Sequence, residues 1–182
     1  MNSHYVEIEK LVQDRKIRRM AEIGVYKGRM VRHICRLCRH ITEYYAIDQW
    51  DIVKGEDFGH YQNFTKEYWD ALYTKVCQEI PYHRSLKVIR MDGRKAAKEL
   101  FPVKHFKGFF DFVYIDSSHH YEETKEEILA WLPLVREEGI IGGHDYASTR
   151  PIHLGVRKAV DEIFGAENVH EMDDMVWYVE VK

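Results

Sequence analysis

The chain predicts an α/β fold with a mainly parallel sheet, and three observations carry that expectation. Short apolar segments alternate with helical-period segments from end to end. Five of the apolar segments close on an acid: Glu22, Asp48, Asp92, Asp116 and Asp145. Those acids are 26, 44, 24 and 29 residues apart, near the roughly 30 residues of a strand–helix–strand unit. Parallel strands end at one edge, so the five acids converge on the carboxyl edge, where such sheets bind ligands. Carboxylates brought together repel one another unless a cation neutralises them. The edge is therefore expected to hold a charged ligand, a metal or both.

The elements follow in order. Residues 3–19 read as a helix, with Val6, Ile8, Leu11, Val12 and Ile17 in partial apolar period. A short strand, 19–23, leads through Gly24 and Gly28 into a helix reaching about residue 40. Residues 43–48 form the second strand. Residues 49–64 carry acids, glycines and aromatics without a period, and read as a lid loop. A helix is expected over 65–80, where Tyr68, Trp69, Leu72, Tyr73 and Val76 recur at helical spacing and Pro81 ends it. Strand three is 86–91, followed by a short helix over 94–100.

The segment 111–116 is almost wholly apolar or aromatic, as a central parallel strand should be. The next helix, 122–135, carries acids in its first turn, where the helix dipole favours them. Strand five is 139–143 and a helix follows over 155–164. Segments 167–171 and 175–181 read as a closing antiparallel hairpin turned at Asp173-Asp174.

Composition narrows the function. A chain of 182 residues suits one domain over its whole length. Its net charge of −3 supplies no basic field for a polyanion, so no nucleic-acid partner is expected. The arginines at 29, 32, 36 and 39 lie at helical spacing and read as a solvated face. Three cysteines give no disulfide framework, which points to a reducing, cytoplasmic setting. Cys35 and Cys38 fall on the apolar stripe of the second helix, so they read as buried core rather than zinc ligands. No apolar run approaches the roughly 18 residues of a membrane span.

Glycines at 24 and 28 let the backbone turn tightly and approach a ligand closely. The dinucleotide pattern G-x-G-x-x-G and the lysine-bearing phosphate loop are both missing. Asp48 closes strand two, where a carboxylate can hold ribose hydroxyls. Asp116 and Asp145 can cap the helices that follow them, but five acids at one edge exceed what capping explains.

These residues carry a resemblance. Glu22-Ile-Gly24-Val-Tyr-Lys-Gly28 with Asp48 is similar to the cofactor motifs of class I S-adenosylmethionine-dependent methyltransferases. The run Asp111-Phe-Val-Tyr-Ile-Asp116-Ser-Ser-His119-His-Tyr121-Glu is more specific. With it go Trp131-Leu-Pro-Leu, Glu138-Gly-Ile-Ile-Gly-Gly-His144-Asp145-Tyr146 and Gly155-Val-Arg-Lys-Ala-Val-Asp161. Together they resemble a branch of small bacterial enzymes related to catechol and macrolide-sugar O-methyltransferases.

That resemblance implies a Rossmann-like, doubly wound, seven-stranded sheet and S-adenosylmethionine as methyl donor. It places Glu22, Gly24 and Gly28 beside the methionine part of the cofactor, Asp48 on the ribose, and Gln49 or Trp50 near the adenine. Asp92 and Gly93 would contact the adenine from the next strand, and Asp116 borders the same cofactor site. A divalent metal, Mg²⁺ or Mn²⁺, would sit on Asp116, His144 and Asp145. Relatives often carry Glu-Asp or Asp-Asn at the second position, so His144 departs from their pattern.

The chemistry agrees with the residues. Methyl transfer is an in-line displacement that depends on alignment, and a divalent cation lowers the pKa of a hydroxyl nucleophile. His119 serves either as general base or as a cap and orienter of Asp116. Tyr121 and Tyr146 are expected to line the pocket. The acceptor is expected to be a small molecule, in a pocket that a homodimer partner can complete. A non-catalytic cofactor-binding module and another nucleotide-dependent enzyme are the competing functions.

Overall fold

The computed structural model describes residues 4–52 and 63–182. Five strands run parallel: β1 (Arg19–Ile23), β2 (Glu43–Asp48), β3 (Leu86–Arg90), β4 (Phe110–Ile115) and β5 (Val135–Gly143). β6 (His170–Glu171) and β7 (Trp177–Glu180) close the sheet, with β7 antiparallel to both β5 and β6. The seven strands lie in the order β3-β2-β1-β4-β5-β7-β6. The chain steps outward from β1 to β3, then returns to the other side of β1 as β4. Strand order therefore reverses between β1 and β4, and a crevice opens at their carboxyl ends.

Helices cover both faces, as a doubly wound sheet requires. On one face α1 (His4–Asp14), α2 (Arg29–Leu37) and α3 (Lys66–Cys77) pack Leu11, Val12, Ile34, Trp69 and Val76 against Tyr44, Phe112 and Tyr114. On the other, α4 (Gly93–Glu99), α6 (Tyr121–Trp131) and α7 (Leu154–Phe164) pack Ala97, Ile128, Trp131 and Val160 against Ala21, Val113 and Ile141. Single-turn α5 (Val103–Phe106) precedes β4. Cys35 and Cys38 are buried in the first core, as their spacing predicts, and burial pushes their thiols up to about 12 and about 11.

Several boundaries differ from the sequence expectation for local reasons. The first helix stops at Asp14 rather than 19 because Lys16 turns left-handed (φ 52°). The Ile17 N–H then bonds Val12 O and the Lys16 N–H bonds Gln13 O, a Schellman cap built without glycine. α3 begins after Thr65, whose hydroxyl accepts from the Tyr68 N–H. α6 stops at Trp131, where Pro133 forces a 3-10 turn. β5 starts early, at Val135, through an irregularity in which Phe110 pairs with Val135 and Phe112 with Ile140. Of the expected lid over 49–64, residues 53–62 lie outside the described residues. No helix among the described residues is long and apolar enough to cross a membrane.

Candidate functional site

A cleft of about 800 Å³ opens at the carboxyl ends of β1 and β4. Glu22, Gly24, Asp48, Gln49, Asp92, Gly93, Asp116, His119, His144 and Asp145 all line it. Ten residues that the sequence places at one sheet edge thus meet in a single space.

The turn after β1 shapes the near wall. Gly24 has φ +92°, and a Cβ there would overlap the Asp116 carbonyl and the Ser117 backbone. Only glycine lets the chain cross the end of β4 at this distance. Gly28 is different: it is the left-handed N-cap of α2 (φ 64°), and a Cβ would meet Val76 rather than the cleft. Behind the turn, Glu22 is buried and accepts a hydrogen bond from the Tyr44 hydroxyl. Burial, with the nearby carboxylates Asp116 and Asp48, pushes its carboxyl well above the ordinary value despite that bond.

Asp48 holds two strained residues. Its Oδ2 accepts the Tyr26 N–H and its Oδ1 the Trp50 N–H, each at 2.8 Å. Both partners are left-handed, Tyr26 at φ 48° and Trp50 at φ 38°, a conformation unusual for such side chains. The Trp50 indole then donates to Tyr26 O at 2.9 Å, closing the ring of bonds. Burial raises the Asp48 carboxyl, against the lowering pull of these N–H groups. The carboxylate lies at the cleft wall beside these bonds. Gln49 faces the cleft, whereas Trp50 is fully buried against Tyr73.

At the far end, Asp92 caps α4 by accepting the Arg94 and Lys95 N–H groups, and it also pairs with Arg94. Burial opposes its charge, but these donors outweigh burial and lower its pKa. A Cβ on Gly93 would collide with Glu127 of α6. Glu127 is buried, accepts from the Ser117 hydroxyl and is pushed up to about 7, chiefly by burial.

The side of the cleft formed by the ends of β4 and β5 is a histidine–aspartate cluster. Asp145 is buried and left-handed (φ 64°). His119 Nε2 lies 2.8 Å from its Oδ2, His153 Nδ1 2.9 Å from its Oδ1, and His144 Nδ1 3.3 Å from Oδ2. Burial alone would raise the Asp145 carboxyl, yet the bonds from His119 and His144 hold it well below the usual range. His144 Nε2 donates to Asp174 O at 2.8 Å, which leaves Nδ1 facing Asp145 and Asp116. Burial lowers the His144 pKa, but Asp145 and the charge of Asp116 outweigh it and bring it to about 9. One ligand atom from each of Asp116, His144 and Asp145 lies within 4.8 Å of the others. Two carboxylates and an imidazole this close suit a divalent cation.

Two expectations fail here. Tyr121 turns to Glu162 and Lys158 outside the cleft, and buried Tyr146 donates to Asp161. Neither lines the pocket, because both face α7. Asp174 does more than turn the hairpin: it accepts the His4 main-chain N–H at 2.6 Å and places α1 against the cleft. Sequence reading also missed His4, Tyr5, Arg150, His153 and Glu127. Glu127 had a signal, an acid inside the α6 stripe of Thr124, Ile128 and Trp131. His153 and His4 had none, since single histidines at helix starts have no pattern.

Seven strands in this order, with a cleft at the switch point, define the class of S-adenosylmethionine-dependent methyltransferases. A model of the methyltransferase-domain family matches residues 21–146, and the chain belongs to that family. Solved structures share the fold. One described as a caffeoyl-CoA O-methyltransferase from Staphylococcus aureus is 12% identical with TM-score 0.68, covering 98% of this chain and 82% of its own. The calicheamicin methyltransferase CalS11 is 16% identical with TM-score 0.66, covering 97% and 78%. The O-methyltransferase TomG from Streptomyces achromogenes, solved with S-adenosylmethionine, is 14% identical with TM-score 0.64, covering 98% and 80%. At these identities the likeness is one of fold. No curated protein matches the sequence.

Proposed function

We propose that the chain methylates a hydroxyl group of a small-molecule acceptor, with His119 as general base and a divalent metal on Asp116, His144 and Asp145. The observation that carries this reading is the 2.8 Å contact between His119 Nε2 and Asp145 Oδ2 at the mouth of the cleft. Asp145 fixes the imidazole with its proton on Nε2, so Nδ1 is the nitrogen that accepts a proton. As the methyl passes from sulfonium to oxygen, the hydroxyl proton goes to that Nδ1, and Asp145 steadies the resulting imidazolium.

Glu22, Gly24 and Asp48 line the donor end, with Asp48 offered to the ribose and Gln49, Asp92 and Gly93 to the adenine. Gly28 contributes by starting α2 rather than by contact. The residues proposed for the metal fit one, since their donor atoms converge and the Asp174 carbonyl fixes the His144 tautomer. Mg²⁺ or Mn²⁺ there would lower the pKa of an acceptor hydroxyl and orient it.

Phenol and sugar hydroxyls are the first acceptors to try, because the fold relatives include a caffeoyl-CoA and a sugar O-methyltransferase. The test is transfer of radiolabelled methyl from S-adenosylmethionine across a panel of such acceptors, with and without Mg²⁺ or Mn²⁺. Label in an O-methyl product, lost in Asp116→Asn, supports the reading. Label recovered only on nitrogen, or full transfer in excess chelator, overturns the hydroxyl or the metal assignment respectively.

A further inference from the structure

Asp145 has a second set of neighbours that the methyl-transfer reading leaves unexplained. His119 comes from the loop after β4, Asp145 from the end of β5, and His153 from the turn before α7. Ligand atoms of all three lie within 4.8 Å of one another. The two imidazoles stack, with centroids 4.3 Å apart and planes inclined by 21°. Each presents a nitrogen to a different oxygen of the one carboxylate, at 2.8 and 2.9 Å.

The convergence is built by packing. A Cβ on Gly155 would overlap His119 O and the Tyr121 N–H, so α7 presses directly onto the 119–121 backbone and carries His153 to His119. The Thr124 hydroxyl ties the same loop down at Ser118 O, 2.9 Å away. Ser148 Oγ, 2.9 Å away, shares with Asp145 the Nδ1 of His153 and fixes that edge of the ring. His153 and Asp145 are both buried.

We propose that His119, Asp145 and His153 form a binding site for a late first-row divalent ion, of the Co²⁺, Ni²⁺ or Zn²⁺ kind. Two imidazoles and one carboxylate form a donor set that favours such ions over Mg²⁺. Asp116, His144 and Asp145 supply two oxygens and one nitrogen, so the two sets share Asp145 but differ in preference. The ion takes the place of the proton between His119 Nε2 and Asp145, and at His153 Nδ1 it replaces the hydrogen bond to Ser148 Oγ. Each neutral ring then carries its single proton on the opposite nitrogen. For His119 that nitrogen is Nδ1, the one the proposed base needs free. Resting on that reading for this consequence alone, the filled site inhibits methyl transfer; ion binding itself is independent of it.

The experiment is calorimetric and visible-absorption titration of the full chain with Co²⁺, beside Mn²⁺ titration followed by electron paramagnetic resonance. The wild type is expected to take up Co²⁺ with ligand-field bands of nitrogen coordination. His153→Gln is expected to weaken Co²⁺ binding by roughly tenfold or more while circular dichroism and Mn²⁺ affinity stay unchanged. Asp116→Asn should do the reverse, weakening Mn²⁺ and sparing Co²⁺. Equal Co²⁺ affinity in wild type and His153→Gln overturns the site, as does absence of Co²⁺ uptake. Loss of Mn²⁺ binding alone would sink only the metal part of the methyl-transfer reading.

Discussion

Gly24 lies so close to the carbonyl of Asp116 that the ends of β1 and β4 are in backbone contact across the switch point. Its φ of +92° and the absence of a side chain are both needed there. Gly24→Ala should therefore destabilise the fold by roughly 2 kcal/mol or more and weaken binding of S-adenosylhomocysteine. Denaturant unfolding and calorimetry together check this. Wild-type values in both would mean that the turn has room the structure does not show.

Asp48 pins the left-handed Tyr26 and Trp50 through their N–H groups, and in the proposed function it also reaches the ribose. Asp48→Ala should weaken S-adenosylhomocysteine by one to two orders of magnitude, the roughly 1.5–3 kcal/mol of a bond to a charged group. Asp48→Asn keeps an acceptor for only one of the two N–H groups and should fall between. Calorimetry that gives equal affinity for all three proteins removes Asp48 from the cofactor site.

The buried Glu127 makes stability depend on pH in a definite sense. Its folded pKa of about 7 lies above its ordinary value of 4.5, so folding favours the protonated acid. That contribution is complete below about pH 4.5 and fades as pH rises through about 7. From acid to alkaline pH the wild type should lose roughly 3 kcal/mol more than Glu127→Gln, which cannot ionise. Glu22 is shifted the same way, so part of the fall survives in the variant. Parallel stability–pH curves for the two proteins would show that Glu127 ionises freely.

If Asp116, His144 and Asp145 hold a hard cation, Asp116→Asn should lower Mn²⁺ affinity at least about tenfold without unfolding the chain. His144→Ala should do less, because two carboxylates remain. Mn²⁺ titration by electron paramagnetic resonance reads both. Unaltered affinity in Asp116→Asn would leave these acids with a purely structural role.

Much of this architecture was legible in the sequence because it rests on local periodicity. The acids closing β1 to β4, together with Asp145 after β5, could be placed at one edge from strand ends alone, and Gly24 from its position after β1. What was hidden depends on contacts between distant segments. His153 reaches His119 only because Gly155 lets α7 touch the loop after β4. His4 enters the cleft because Asp174, 170 residues away, takes its N–H. The α1 boundary was misplaced because Lys16, not glycine, adopts the left-handed cap. The family resemblance puts Gly28 beside the cofactor, whereas its left-handed turn serves to start α2.

In the proposed function the cleft between β1 and β4 holds the methyl donor with its reactive end at the Asp116–His119–Asp145 side. A crystal structure with S-adenosylhomocysteine tests this most directly. The ribose is expected at Asp48, the adenine beside Asp92 and Gly93, and the thioether sulfur directed at Asp116 and His119. Density for the ligand outside this cleft, or with adenine at the histidine cluster, would contradict it.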